Sequence, residues 1–115
     1  MAQPYVGEVR MFAGNFAPVG WMFCEGQLLP ISENETLFQL IGTTYGGDGQ
    51  STFALPDLRG SVPVHLGTGV DLPARAIGGE SKLHSATGPQ DENRTIGTLV
   101  LNPCIALFGI FPPRE

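Results

Sequence analysis

Bond-making chemistry needs a nucleophile with a base, a carboxylate pair, or metal ligands converging on one pocket. In this chain the residues able to supply it are Asp48, Asp57, Arg59, His65, His84 and two cysteines, Cys24 and Cys104. Asp57 stands in Leu55-Pro56-Asp57-Leu58, where its carboxylate is placed to accept from a nearby backbone amide and organise the turn that Pro56 begins. Arg59 is within reach of Asp57 or of loop carbonyls, so the reading for Asp48, Asp57 and Arg59 is positional rather than catalytic. Gly46-Gly47-Asp48-Gly49 has the glycines of a phosphate cradle but lacks the lysine and the helix that should follow, so it reads as a turn. Ser85 beside His84 lacks the strained turn of a nucleophile and makes no Ser-His dyad. His65 reads as a surface or interface histidine; only three copies meeting on an axis would turn it into a metal ligand set. Cys24 and Cys104 each lie in an apolar run and read as buried thiols in preference to a disulfide, with too few ligands for zinc. No enzyme and no cofactor are expected.

The elements that must position these residues belong to a chain of 115 residues, the size of one domain, able to bury roughly 60–70 % of its unfolded surface. Charged residues are only 15 % and hydrophobic residues 42 %, which favours a surface covered by partners and makes association into an oligomer the default. The net charge of −5, with six basic residues scattered singly, argues against nucleic acid, whose phosphates are bound by clustered Lys and Arg. The first residues show no basic region followed by an apolar run, and no stretch reaches the roughly 18 apolar residues of a membrane span. The expectation is a chain made in a cytoplasm without a signal peptide and without membrane insertion.

Residues 6–12 alternate as a first strand, with Val6, Glu8, Arg10 and Phe12 on one side. Trp21 to Cys24 form a second, and Leu28-Leu29-Pro30-Ile31 lead out extended because Pro30 disfavours helical geometry at Leu29. Ser32-Glu33-Asn34-Glu35 has the form of a capping box, which predicts a helix over 32–41 with an apolar stripe of Leu37, Phe38, Leu40 and Ile41. Gly42 ends it. Residues 42–67 are too rich in Gly and Pro for a helix and too apolar for a solvated linker, so they must follow a fixed irregular path against a core. Residues 87–94 read as an exposed loop, 95–102 as a strand and 104–111 as another. Phe12, Phe16, Trp21, Phe23, Phe38, Tyr45, Phe53, Phe108 and Phe111 are assigned to core and subunit contacts; a sugar-binding face would need Trp21 or Tyr45 exposed.

Four runs carry a resemblance: Glu8-Val9-Arg10-Met11-Phe12-Ala13-Gly14-Asn15-Phe16-Ala17-Pro18-Val19-Gly20-Trp21; Cys24-Glu25-Gly26-Gln27-Leu28-Leu29-Pro30-Ile31-Ser32; Leu37-Phe38-Gln39-Leu40-Ile41-Gly42-Thr43-Thr44-Tyr45-Gly46-Gly47-Asp48-Gly49; and Thr52-Phe53-Ala54-Leu55-Pro56-Asp57-Leu58-Arg59-Gly60. Together they resemble the phage tail collar domain, a pattern seen also in the bacterial microcystin-dependent protein family. The likeness covers residues 6–67, and residues 101–112 resemble the family's closing strand. It implies a component of a phage tail fibre or of a phage-derived particle, associated as a trimer around a three-fold axis. In some fibres of this kind a His-x-His segment after the collar binds metal. Here that segment is shortened to residues 70–94 and carries the lone His84.

The expected fold is α+β and mainly β: a small mixed sheet, one short helix and long ordered Gly/Pro-rich loops, in a single domain over 1–115 with a collar region at 6–67, a distal loop at 70–94 and closing strands at 95–112. The expected function is a structural and adhesive subunit of a phage tail fibre or phage-like tail particle, a homotrimer that mediates attachment or tail-tip assembly. Its partners are copies of itself, neighbouring tail proteins and a cell-surface glycan. The distal loop supplies the candidate binding residues Asp71, Arg75, Lys82, His84, Asp91, Glu92, Asn93 and Arg94. The alternative is a monomeric carbohydrate-binding module.

Overall fold

The computed structural model of the chain describes residues 3–67, 75–80 and 97–114. Its strands are β1 (Val9–Phe12), β2 (Trp21–Phe23), β3 (Leu28–Pro30), β4 (Thr52–Ala54) and β5 (Asn102–Ala106), with one helix, α1 (Glu35–Ile41). They make two small antiparallel sheets, β1-β5-β2 and β3-β4. The fold is therefore α+β and mainly β as expected, with the parallel component among the described residues limited to one isolated bridge, Tyr5 to Ile110.

The first sheet is closed by the far end of the chain. β5 enters between β1 and β2, setting Ile105 opposite both Val9 and Met22. Cys104, Ile105 and Ala106 are successively buried, the continuous pattern of a strand covered on both faces rather than the alternation of a half-exposed one. The second sheet places Leu29 opposite Phe53, both buried. α1 lies in the connection between those two strands, burying Leu37 completely and setting the Phe38 ring 5.4 Å from that of Phe53. Val6, Cys24, Leu29, Leu37, Phe53, Leu55 and Ile105 form one cluster drawn from both sheets, the helix and the loops between them. A helix this short has too few hydrogen bonds to persist alone, so this packing is what holds it.

Three expectations are corrected. The first strand begins at Val9 rather than at residue 6, because Gly7 takes φ of 82° and the Glu8 amide donates to the Tyr5 carbonyl, making a turn that alternation of residue types cannot register. Val6 is buried instead by docking on the C-terminal segment, where its amide donates to the Ile110 carbonyl at 3.0 Å. The two closing strands expected on either side of Pro103 are one strand running through it. The ladder draws on its carbonyl, which accepts from the Cys24 amide at 2.9 Å, so the missing N–H does not break the strand. Of the expected strand over 95–102, residues 97–101 belong to no ladder and Asn102 is the first residue of β5.

The helix start also differs. Residues Ile31–Glu33 make a turn of 3-10 helix, and Asn34 rather than Ser32 stands at the head of α1. Glu35 becomes the first helical residue, out of place for a capping box. The Asn34 side-chain amide donates back to the Pro30 carbonyl at 3.1 Å, joining helix and strand β3. Gly42 ends α1 with φ of 57°, as the sequence predicts. Asn34 is buried and Ser32 exposed, so the two positions are expected to respond differently. Asn34→Ala should cost about 1 kcal/mol in urea unfolding through loss of a partly buried hydrogen bond, while Ser32→Ala should be close to neutral.

Candidate functional site

The Gly-rich stretch is ordered by Asp48. Its Oδ1 accepts from the backbone amides of Gln50, Ser51 and Thr52 at 2.8, 2.9 and 3.0 Å, and its Oδ2 accepts from the Ser51 hydroxyl at 3.1 Å. The amides that a bound phosphate would require are thus already turned toward a carboxylate of the same loop. Those amides hold the Asp48 carboxyl well below the ordinary carboxylate range, Thr52 contributing most, then Ser51 and Gln50. Beside it the Gly47 backbone, with φ of 95°, lies so close to β4 that a side chain would run into the backbone of Thr52 and Phe53. Both observations give the stretch the structural role read from its sequence.

Asp57 organises the second loop. Its Oδ1 accepts from the Arg59 backbone amide at 3.1 Å and from Nε at 2.9 Å, while Oδ2 accepts from Nη2 at 2.8 Å. The Arg59 side chain, then its amide, lower the Asp57 pKa to about 2. The loop is fastened to the turn after β2: Gly26 donates to the Pro56 carbonyl at 3.2 Å, Leu58 to that of Cys24 at 2.9 Å and Leu55 to that of Gln27 at 3.0 Å. Between this turn, residues 58–60 and residues 100–103 lies a cleft of about 290 Å³, edged by Glu25, Arg59 and Asn102 and walled by Leu58, Val100 and Leu101.

Of the distal candidates, Arg75 alone falls among the described residues. It is half-buried, and its backbone makes both hydrogen bonds of an antiparallel bridge with Gly67, at 2.7 and 3.1 Å. Asp71, Lys82, His84, Asp91, Glu92, Asn93 and Arg94 lie outside the described residues, as does Ser85. His65 is exposed, its Nδ1 2.7 Å from the Leu66 carbonyl oxygen. Among the described residues no three His, Cys, Asp or Glu side chains gather as a metal site. Cys24 and Cys104 are free and buried; burial, and then Cys104, push the Cys24 thiol up to about 11, and burial raises Cys104 too. Trp21 is half-buried with the Arg10 guanidinium 5.4 Å from its ring centroid, and Tyr45 is half-buried also. Neither stands fully exposed as a sugar-stacking aromatic would.

Reading residue types missed a surface. Val62, Val64 and Leu66 are 60, 53 and 54 % exposed, and Leu99 and Val100 are 82 and 87 % exposed. The low share of charged residues was its only sequence signal. Phe16, Phe108 and Phe111 are likewise on the outside rather than in the core.

Residues 7–63 match the family model of the phage tail collar domain. The chain carries a phage tail collar domain. The match takes in β1 to β4, α1, the Asp48 loop and the Asp57–Arg59 pair; β5, which completes the larger sheet, lies beyond it. No curated protein matches the chain. The collar domain is a structural module of phage tails, so the chain is a structural component of a phage particle. Among the described residues no helix is long and apolar enough to cross a membrane.

The two loop carboxylates make the collar domain sensitive to acid. The folded-state pKa of each lies below the ordinary Asp value of about 3.9, so the stability they contribute is complete above about pH 5 and is lost as pH falls toward about 2. The melting temperature should decline over that window. Asp48→Asn and Asp57→Asn should each lower it at neutral pH and make the decline shallower, as calorimetry between the two limits can measure. The thiols offer a second check. At about pH 8 the Cys24 thiol, pushed up to about 11, is almost wholly protonated, and Cys104 is buried with its thiol raised by that burial, so iodoacetamide should leave both unmodified in the native chain and alkylate both in denaturant.

Proposed function

We propose that the chain is a subunit of a phage tail fibre or phage-like tail particle, assembles as a homotrimer, and mediates attachment or tail-tip assembly through the distal segment 70–94. The observation that carries this reading is the collar match over residues 7–63, which joins a structural tail module to a chain of low charge. Exposed Val and Leu residues on both sides of the distal segment support association, since apolar patches of a few adjacent side chains are costly to leave in water.

The neighbouring tail proteins and a cell-surface glycan are the partners proposed for the distal segment. Its polar residues, Asp71, Arg75, Lys82, His84, Asp91, Glu92, Asn93 and Arg94, have the donors and acceptors that such contacts use. The collar then has the work of a scaffold: it fixes both ends of the distal segment, while its own Asp and Arg side chains are spent on loop geometry. His65 would reach a metal only if the three-fold axis brought three copies of it together.

Two measurements test the reading separately. Mass photometry should give a particle of three times the 12.2 kDa chain mass, and a stable monomer at micromolar concentration would overturn the assembly. Replacing Lys82, His84 and Arg94 together by Ala should reduce adsorption to host cells about tenfold or more, corresponding to about 1.4 kcal/mol, without changing that mass. Unaltered adsorption would remove these side chains from attachment.

A further inference from the structure

Asp48 is the only Asp or Asn of the chain that is followed by Gly. A carboxyl side chain and the peptide nitrogen that follows it are spaced to close a five-membered ring, and a glycine there puts no Cβ in the way of the attacking nitrogen. Asp48 is exposed, so water has access to the pair. Every other aspartate precedes a residue with a side chain: Asp57 stands before Leu58, Asp71 before Leu72 and Asp91 before Glu92.

We propose that Asp48–Gly49 is a latent isoaspartate site, which the folded loop keeps closed and whose modification dismantles that loop. In the reaction the Gly49 nitrogen bonds to Asp48 Cγ, and the hydroxyl of the protonated carboxyl leaves as water together with the amide proton. A water molecule then opens the succinimide so formed. Cleavage of its bond from nitrogen to Cγ restores aspartate. Cleavage of the bond from nitrogen to the Asp48 main-chain carbonyl carbon leaves the chain running through Cβ and Cγ, with that carbonyl converted to a free carboxylate. Water is lost in the first step and regained in the second, so no oxidant, reductant or other co-reactant enters.

Three features of the fold oppose ring closure. The Gly49 amide donates to the Thr52 carbonyl at 2.9 Å, which engages its nitrogen with β4 rather than with Cγ. The carboxyl group is fixed in place, Oδ1 by the amides of Gln50, Ser51 and Thr52 and Oδ2 by the Ser51 hydroxyl. The same donors, Thr52 first, favour the carboxylate and so deplete the protonated acid that reacts. Reaction therefore waits on opening of the loop, a local event whose cost sets the rate. Once formed, isoaspartate prevents the loop from closing again. The chain between positions 48 and 49 has gained a methylene and the carboxylate arm has lost one, so the carboxylate no longer stands where the three amides converge. Gly47 beside it is packed against the backbone of Thr52 and Phe53, with no room for so much as a Cβ.

Prolonged incubation of the full chain at mildly acidic pH, in buffer and in guanidinium chloride, tests the proposal when followed by peptide mapping with electron-transfer dissociation, which tells isoaspartate from aspartate. In denaturant isoaspartate should accumulate at Asp48 in clear excess over Asp57, Asp71 and Asp91. In the native chain it should form at least about tenfold more slowly. Asp48→Glu, whose side chain would have to close a six-membered ring, should abolish the product in denaturant. The isomerised chain, separated by reversed-phase chromatography and returned to buffer, should melt below the unmodified chain. Absence of isoaspartate at Asp48 in denaturant, or equal amounts at the other three aspartates, would overturn the site. Equal rates with and without denaturant would show that the loop gives no protection, and an unchanged melting temperature of the isomerised chain would show that the loop tolerates the modification; either result defeats the proposal.

Discussion

Strand β5 is held on both sides by strands from the opposite end of the chain, and the rest of the architecture depends on that pairing. Its Ile105 lies between Val9 and Met22, its Ala106 amide donates to the Glu8 carbonyl, and the Leu107 amide donates to that of Gly20. Without it β1 and β2 would be separate short strands with open edges, and Val6, Cys24 and Ile105 would lose the neighbours that bury them. The long excursion of the chain between β2 and β5 pays its closure entropy once, at this pairing, and that cost grows only slowly with length.

Little regular structure connects the elements, and the loops are made rigid by side chains that do the work of a ladder. Asp48 gathers three backbone amides into one turn, and Asp57 fixes Arg59 in a forked pair while its loop is hydrogen-bonded to the turn after β2. Both carboxylates are exposed to water, so their part is conformational: they satisfy amides that a loop would otherwise leave unpaired. The glycines complement them where backbone must meet backbone, as Gly47 does against β4. Groups with the chemistry of catalysis are in this way consumed by structure.

The residues that made the fold legible in the sequence were those with strong local preferences. Pro30 announced an extended lead, Gly42 the helix end, and Pro56 with Asp57 a turn whose hydrogen bonds are those expected. Where the reading departed from the structure, a tertiary demand outweighed a local pattern. Ser32 and Glu35 have capping-box spacing, but the buried link from Asn34 to Pro30 moves the helix start by two residues. Pro103 has the look of a strand breaker, yet its carbonyl is what the ladder draws on. The turn at Gly7 and the burial of Val6 depend on the C-terminal segment, which no local window contains. As for the candidate site, the positional roles of Asp48, Asp57 and Arg59 could be read from residue types, whereas the exposed aliphatic edges could not. Exposure is a property of the assembled chain, and Val64 or Leu99 has the composition of a core residue until the fold leaves it outside.

That last point bears on how a domain of this size divides its apolar residues between core and surface. A domain of this length has a core drawn from few residues, here a single cluster of seven fully packed side chains with half-buried neighbours around it. Val62, Val64, Leu66, Leu99 and Val100 lie outside that cluster and leave aliphatic surface in water. Any surface that covers them gains by removing that aliphatic area from water.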